Sequence, residues 1–305
     1  MKNKLTCLAS FLAVFNLNAI EIGPTGSGVE LSGFAVLDHT SSDGAGNGAF
    51  MSSEVEVDLD WSSGPVAFSL DIDVYKNGTG LVNGTDDNGT SIEEAVITYT
   101  VSDNLSFSAG KMLSYLGFEA YDAPNMYQIS TAYDQSSYGP LYDGYADGVS
   151  VDYSTDMFSI GVWADLAEKS SFEYALAFTG VENLTAKYIF ADYGGSSESK
   201  QTLWASYQLG KLLLGGELAT HSNYLGSAAD DEDGWLIMGN YSITDPLSLT
   251  LRYSNVESKG ATVADTNKLT VSPTYMITDD LAFLAEYSDI EGQDDFLGLE
   301  LIYTF

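Results

Sequence analysis

Carboxylates are the side chains of this sequence that are best placed to do chemistry, and the clearest set alternates with apolar residues over 54–61. The acids are Glu54, Glu56, Asp58 and Asp60, and the residues between and after them are Val55, Val57, Leu59 and Trp61. Successive side chains of an extended strand point to opposite faces, so the acids share one face and the apolar residues share the other. A row of carboxylates that faces water favours cations and repels anions.

Catalytic and metal-binding motifs are weak by comparison. The candidates are His39 and His221, and the acidic runs at 86–88 and 230–233, which offer oxygen ligands suited to Ca²⁺ or Mg²⁺. Nucleophilic catalysis needs a base held against the nucleophile by a third group, and no motif singles out such a serine. The acidic runs lack the spacing of a known calcium loop and are interpreted as solvated external loops. We therefore predict no catalytic residue, no metal centre and no cofactor, with only loose Ca²⁺ or Mg²⁺ association at acidic loops.

The element that positions the carboxylates is a β-hairpin, and the same unit recurs along the chain. After a turn at 62–65 the alternation resumes over 66–75, where apolar residues oppose Ser69, Asp71 and Asp73. Period-two alternation bounded by turn residues predicts strands. The sequence predicts sixteen of them: 28–38, 49–61, 66–75, 92–101, 105–112, 145–154, 157–166, 172–180, 184–193, 200–207, 211–221, 235–242, 247–254, 266–276, 281–288 and 296–305.

The predicted connections are of two kinds, which alternate along the chain. Seven are tight turns with Asp, Asn and Gly, residues that tolerate turn geometry. The other eight are mostly longer, and they lie at 40–48, 76–91, 113–144, 167–171, 194–199, 222–234, 255–265 and 289–295. Short turns at one end, longer loops at the other and an even strand count are typical of a bacterial outer-membrane β-barrel.

Aromatic residues mark the ends of the even-numbered predicted strands. Next to the tight turns lie Trp61, Tyr99, Tyr153, Phe178, Tyr207, Tyr241 and Tyr275, and Tyr303 and Phe305 end the last strand. Amphipathic rings are favoured at a membrane–water interface, so the pattern predicts a girdle at the periplasmic side of a bilayer. A soluble β-sandwich would scatter such rings through its core.

Residues 1–19 have the order of a secretory signal peptide. Two lysines precede an uncharged, largely apolar run over 5–17, and Ala19 offers a small residue at the cleavage point. The run is too short to span a bilayer, and no later stretch supplies about 18 consecutive apolar residues. Cleavage after Ala19 would remove Cys7, the single cysteine, so we predict a mature barrel over 20–305 without disulfides.

The charge balance excludes some partners. The chain has 44 acidic residues against 11 Lys and Arg, a formal net charge of −33. Nucleic acids and anionic lipids both require basic surface, so neither is an expected partner. Apolar and aromatic residues are plentiful, so the acidity does not indicate disorder.

Three stretches resemble bacterial outer-membrane proteins more specifically. Residues 296–305 alternate and end on Phe305, which resembles the closing strand that carries the barrel-assembly signal of such proteins. Residues 104–144, with Gly110-Lys111-Met112, Leu116-Gly117-Phe118-Glu119-Ala120 and Tyr138-Gly139-Pro140, resemble the central block of the OmpL-like β-barrel porins. Residues 172–185 resemble the next hairpin of that family. The likeness implies an outer-membrane channel, exported through the periplasm, and carries no established catalytic residues.

If the apolar faces contact lipid, the alternate faces line the lumen. About sixteen strands leave a water-filled channel, whereas small barrels fill their interiors with side chains. The predicted pore-lining residues are Glu54, Glu56, Asp58, Asp60, Asp71, Asp73, Glu94, Asp152 and Glu217, with Lys187, Arg252 and Lys268 as the few basic ones. We therefore predict a mild cation preference. A salt-adapted proteome would explain acidic loops, but not four carboxylates on one face of a strand.

The connection at 113–144 is by far the longest, and its apolar content is too high for a loop that extends into water. Folding it into the barrel would bury its rings, narrow the channel and leave Glu119, Asp122 and Asp134 able to face the pore. In general porins of sixteen strands the constriction loop follows the fifth strand, and this position matches. The chain departs from that class in having one arginine, Arg252. The alternative is an external loop packed over the mouth or onto a neighbouring subunit.

Together these features predict an all-β, transmembrane, antiparallel up-and-down barrel that acts as an outer-membrane porin, a passive diffusion channel for small hydrophilic solutes. The expected partners are outer-membrane lipid and lipopolysaccharide, the barrel-assembly machinery and, by analogy, two further copies in a homotrimer. Three alternatives stay open: a non-conducting structural or adhesive barrel, a substrate-specific channel, and a hydrolase that uses His39 or His221 at the rim.

Overall fold

A computed structural model of the chain shows a closed antiparallel β-barrel with almost no helix. It describes residues 19–24, 26–42, 50–78, 87–166 and 171–305. The predicted signal peptide, apart from Ala19, lies outside the described residues, as does Asp86 of the first acidic run. No helix in the described part of the chain is long and apolar enough to cross a bilayer.

Sixteen long strands form the wall within these ranges. They are β1 (Val29–Ser42), β2 (Phe50–Ser63), β3 (Val66–Gly78), β4 (Asp87–Ser102), β5 (Leu105–Leu113), β6 (Tyr145–Ser154), β7 (Phe158–Asp165), β8 (Phe172–Phe178), β9 (Leu184–Asp192), β10 (Ser199–Leu209), β11 (Leu212–Ser222), β12 (Asp231–Ser242), β13 (Leu247–Lys259), β14 (Ala264–Met276), β15 (Leu281–Ile290) and β16 (Phe296–Thr304). A two-residue strand, Ile20–Glu21, pairs with β1. Short 3₁₀ segments lie at Ala123–Asn125 and Tyr224–Gly226.

Pairing between the last and first long strands closes the sheet. Each strand pairs antiparallel with the next, and β16 pairs with β1 from Thr304 opposite Phe34 to Phe296 opposite Ser42. A closed sheet has no edge, so its backbone polar groups can all be hydrogen-bonded within the wall. The predicted sixteen-strand antiparallel barrel is confirmed.

The wall is inverted relative to a soluble protein, because its large apolar side chains point outward. Leu218 and Ile237 are each 59% exposed, whereas Thr250 and Ser288 on the inner face are fully buried. Soluble monomers rarely expose apolar patches beyond a few hundred Å². Apolar residues outside and polar residues inside are the arrangement of a membrane-spanning barrel.

The aromatic residues at the tight-turn end also lie on the outer face. Trp61, Tyr99, Tyr153, Phe178, Tyr207, Tyr241, Tyr275 and Tyr303 are all between 39% and 49% exposed. Tyr303 also stacks beside Phe305, with ring centroids 6.1 Å apart. The rings therefore form a band around one end of the barrel, where the sequence predicts a girdle.

Several strands extend further at the opposite end than predicted. β12 begins at Asp231 and β13 ends at Lys259, and these two residues are opposite each other in the ladder. Lys259 Nζ also lies 2.8 Å from the Asp233 carboxylate. Charged residues pair here because the strands continue beyond the apolar belt, where hydrophobic alternation no longer marks them. The interpretation of 231–233 as loop residues is therefore wrong.

Candidate functional site

The connection between β5 and β6 enters the barrel. The two strands end mid-wall, with Leu113 opposite Tyr145, and residues 114–144 continue inward. Buried apolar side chains of this segment, the inward loop, are Leu116, Phe118, Tyr133, Leu141 and Tyr142, and they pack on inner-face residues that include Ala177, Ile189, Trp204 and Leu236. The Phe118 and Trp204 rings meet edge to face at 5.5 Å. The inward loop thus lies inside the barrel and not over its mouth.

Two inner-wall glycines make room for these side chains. A Cβ atom on Gly215 would lie 2.5 Å from the Phe118 ring, and one on Gly234 would lie 2.6 Å from Leu141 and 2.8 Å from Tyr133. Real Cβ atoms do not approach heavy atoms so closely. The loop and the wall are therefore complementary in shape.

Basic residues of the wall hold the inward loop through ion pairs. The pairs are Arg252 with Glu119, Lys268 with Asp134 and Lys200 with Asp143. The Arg252 side chain is fully buried, and it also donates to the Ser130 carbonyl oxygen at 2.8 Å and the Thr270 hydroxyl at 3.1 Å. Burial of a charge is tolerated when it is paired and hydrogen-bonded in this way.

Carboxylates of the same wall accept hydrogen bonds from the loop backbone. Glu286 accepts from the amides of Ile129 at 2.7 Å and Ser130 at 2.8 Å. Glu232 accepts from the amide of Ser137, and Glu173 from that of Tyr115, each at 2.8 Å. Glu173, Glu286 and Lys200 do not appear in the sequence prediction, and Glu232 appears there only as part of the acidic run at 230–233. Glu173 and Glu286 lie on the polar faces of predicted strands, which indicates that they face the lumen. That position alone does not predict which loop residues they contact.

The opposite side of the lumen is an acidic wall, formed by the inner faces of β2, β3 and β4. In the ladder Glu56 lies opposite Asp73, Asp58 opposite Asp71, and Asp71 opposite Glu94. Like charges directly opposite each other repel, so this wall requires protons or cations to offset them. None of the salt bridges among the described side chains involves a carboxylate of these three strands.

A β-bulge adds one more carboxylate to the acidic wall. Asp71 is opposite Glu94, whereas the next residue, Ile72, is opposite Ile92, so Glu93 is the extra residue on β4. Of these two glutamates, only Glu94 is among the pore-lining residues predicted from the sequence. Period-two alternation assigns neighbouring residues to opposite faces, and a bulge breaks that rule at one residue.

The inward loop crosses the lumen to the acidic wall. Carboxylate oxygens of Glu56, Glu93 and Asp122 all lie within 4.8 Å of one another. The 3₁₀ segment that follows Asp122 contacts β16. Burial raises the pKa of Asp122, and a hydrogen bond from the Asn125 amide, at 3.3 Å, acts in the opposite direction.

Two of the cavities along the lumen adjoin the acidic wall. One of about 400 Å³ is lined by Asp60, Glu94 and Asp152, and the other, of about 330 Å³, by Asp38 and Glu54. Along β2, Glu56 and Asp58 lie between Glu54 and Asp60. The contact of Asp122 with Glu56 and Glu93 therefore lies between the two cavities.

The predicted pore-lining residues fall into two groups. Eight acids lie on the inner faces of β2, β3, β4 and β6: Glu54, Glu56, Asp58, Asp60, Asp71, Asp73, Glu94 and Asp152. The other four, Lys187, Glu217, Arg252 and Lys268, are buried on the far wall. Of these, Glu217 accepts from the Tyr142 hydroxyl, and Lys187 Nζ lies 5.2 Å from the centroid of the Trp204 ring. The effect of all twelve on permeation stays a prediction.

The loop candidates also separate. Asp122 meets the acidic wall, whereas Glu119 and Asp134 turn to the basic side chains of the far wall. Glu119 is 7% exposed. It turns away from the lumen because the buried Arg252 guanidinium requires a carboxylate partner.

The two histidines lie on opposite faces of the barrel. His39 is exposed on the outer face, opposite Leu299. His221 is 2% exposed, and its Nε2 lies 2.8 Å from Glu198. The two side chains therefore do not contribute to a shared site.

Comparison with known proteins agrees with this geometry. The family described as "Putative beta-barrel porin-2, OmpL-like" matches residues 45–167. A comparison with curated proteins gives no match.

Solved structures share the fold at low sequence identity. The outer membrane channel DcaP of Acinetobacter baumannii superposes with a TM-score of 0.70 at 14% identity, covering 94% of this chain and 100% of that one. OmpF of Salmonella typhi, in complex with daunomycin, gives 0.64 at 14% identity, over 94% and 100% of the chains. The trimer form of OmpT, an outer membrane protein of Vibrio cholerae, gives 0.64 at 17% identity, over 91% and 99%.

The closed barrel, its apolar outer face and the polar, loop-crossed lumen resemble those of bacterial outer-membrane porins. Over residues 45–167 the chain matches the OmpL-like β-barrel porin family.

Proposed function

We propose that this porin is a passive diffusion channel for small hydrophilic solutes that prefers cations. The observation that carries the proposal is the segregation of charge in the lumen. Lys200, Arg252 and Lys268 pair with loop carboxylates on one side, whereas the acids of β2, β3 and β4 have no described salt-bridge partner on the other. The net field that a permeating ion meets is therefore negative.

Selection then requires only size and electrostatics. The inward loop occupies one side of the lumen and limits the cross-section, and the carboxylates concentrate cations in what remains. No covalent step and no resident cofactor is needed. We propose only weak cation binding at the external acids. The Asp230 carboxylate, for example, already accepts a hydrogen bond from the Ala261 backbone amide at 2.7 Å, and this bond holds the pKa of Asp230 below its usual range.

The proposed partners follow from the outer surface. Outer-membrane lipid and lipopolysaccharide would contact the exposed apolar face. The barrel-assembly machinery would recognise the last strand, which ends in Phe305. A homotrimer is proposed on the trimer form of the similar OmpT barrel. The mass of the detergent-solubilised protein, with bound detergent subtracted, distinguishes a trimer from a monomer.

The test is the reversal potential in planar bilayers under a salt gradient. The purified protein should conduct ohmically, and its reversal potential should shift toward the cation equilibrium potential. Replacing Asp58→Asn and Asp71→Asn together should move the potential toward zero. The matched control is Asp233→Asn with Glu257→Gln, because these side chains are 48% and 49% exposed outside the lumen.

Other outcomes reject the proposal. A folded barrel without conductance would indicate a structural or adhesive role. A saturable block by one solute would indicate a substrate-specific channel. An anion-directed potential, or equal effects of the two double variants, would contradict the role of the acidic wall.

A further inference from the structure

Three elements bring carboxylates to one point in the lumen. Glu56 comes from β2, Glu93 from the bulge in β4, and Asp122 from the inward loop. Their nearest oxygens all lie within 4.8 Å of one another. Two oxygens bound to one Ca²⁺ ion at about 2.4 Å are at most about 4.8 Å apart, so the spacing fits a shared ion. Mg²⁺ requires near-ideal octahedral geometry and keeps several of its waters, so it suits such a site less well than Ca²⁺.

A fourth carboxylate supplies independent evidence for a ligand here. Asp73 is on β3, between the strands that carry Glu56 and Glu93, and it lies directly opposite Glu56. Its side chain is 6% exposed, and its Oδ1 atom is buried without a hydrogen-bond partner in the described structure. A buried carboxylate oxygen in this state is costly unless a proton or a cation satisfies it.

We propose that Glu56, Glu93 and Asp122 hold a calcium ion that ties the inward loop to the acidic wall, with the Asp73 carboxylate beside them. The proposal rests on the proposed function, because it places the ion in a cation-preferring lumen. Calcium accepts six to eight oxygen ligands in flexible geometry, so water would complete the shell. The ion would lie between the two cavities and reduce the flow of monovalent ions.

The experiment titrates CaCl₂ into the purified, detergent-solubilised barrel by calorimetry. We expect saturable binding with a dissociation constant of about 10⁻⁴–10⁻³ M, the range of extracellular calcium modules. Glu93→Gln should weaken binding roughly tenfold, since ligand charge sets affinity. The matched variant is Glu257→Gln, which makes the same change on an exposed side chain outside the lumen and should retain calcium affinity. MgCl₂ should bind more weakly than CaCl₂.

A second variant guards against misfolding. Asp122→Asn lies on the loop and leaves the wall unchanged. It should reproduce the loss of calcium binding while the barrel keeps its β-sheet content, measured by circular dichroism. In bilayers, calcium should lower potassium conductance in the wild type and have little effect on either cluster variant.

Two results would overturn the proposal. One is equal calcium affinity in Glu93→Gln and Glu257→Gln. The other is no saturable binding in a channel that still shows its cation-directed reversal potential, which would mean that the carboxylates share protons instead. A channel with no cation preference at all would reject the proposed function itself and is recognised by the reversal potential before calcium is added.

Discussion

Arg252 anchors the inward loop as a single residue, because one planar guanidinium contacts two loop segments and the wall together. It pairs with Glu119, donates to the carbonyl oxygens of Ser130 and Thr131, and contacts Thr270 on the next strand. An ammonium group cannot span these acceptors in the same way, since lysine lacks the fixed fork. It is also the only arginine in the chain.

Replacing Arg252→Met should loosen the loop. Removing one partner of a buried ion pair leaves the other charge uncompensated, which costs about 3–5 kcal/mol. We expect a lower unfolding temperature in detergent and faster proteolysis within 118–141. Lys259→Met is the control, because that lysine pairs at the exposed rim, and its loss should change the melting temperature far less. Equal effects of the two substitutions would contradict the anchoring role.

Asp122 should make cation selectivity depend on pH. A carboxyl group is charged above its pKa and neutral below it, and burial raises the pKa of Asp122 above the ordinary 3.8. Its contribution is therefore present at neutral pH and lost as the pH falls. We expect the difference in cation-to-anion permeability between wild type and Asp122→Asn to vanish with a midpoint above 3.8. A midpoint at or below that value would contradict the burial of this side chain.

At the scale of the elements, the loop and the wall fit because small residues face large ones. Gly234 on β12 leaves space for the Tyr133 and Leu141 side chains. Gly234→Val should displace the loop and increase single-channel conductance while the barrel still forms. Gly239→Val on the same strand is the control, since a Cβ there meets its nearest atom at 3.6 Å, an ordinary contact distance. Unchanged conductance in Gly234→Val would show that the loop does not limit the flow.

Sequence alternation predicts most of the elements and the position of the loop. The rows of acids at 54–60 and 71–73 reveal their common face, and the rings of 113–144 indicate burial. The bulge at Glu93 and the partners of Glu119 and Asp134 could not be predicted, because they depend on register and on contacts between residues more than 100 positions apart. The sequence does not predict the extension of β12 to Asp231 or of β13 to Lys259, because charged residues pair there and the alternation of apolar and polar residues that marks a strand is absent.

At the scale of the whole molecule, the fold places the negative charge of the chain in the loops and on the inner wall of the barrel, away from lipid. A net charge of −33 is spread over the loops and the inner wall, while the band in contact with lipid is apolar. Three basic residues of the lumen, Lys200, Arg252 and Lys268, pair with carboxylates of the inward loop. The carboxylates of the acidic wall therefore remain free of these ion pairs and can act on permeating ions.

Cysteine accessibility tests this inside-out arrangement most directly. In a background with Cys7→Ser, the chain contains no other thiol, so Asp60→Cys and Val57→Cys can be compared on one strand. The folded barrel in lipid vesicles should react rapidly with a small cationic thiol reagent at position 60, because the side chain there is exposed and lines a cavity of the lumen. Position 57 should be protected from the reagent. A fluorophore attached at position 57 while the chain is unfolded should be quenched by brominated lipid after refolding. The reverse pattern, with position 57 in water and position 60 in lipid, would contradict the account.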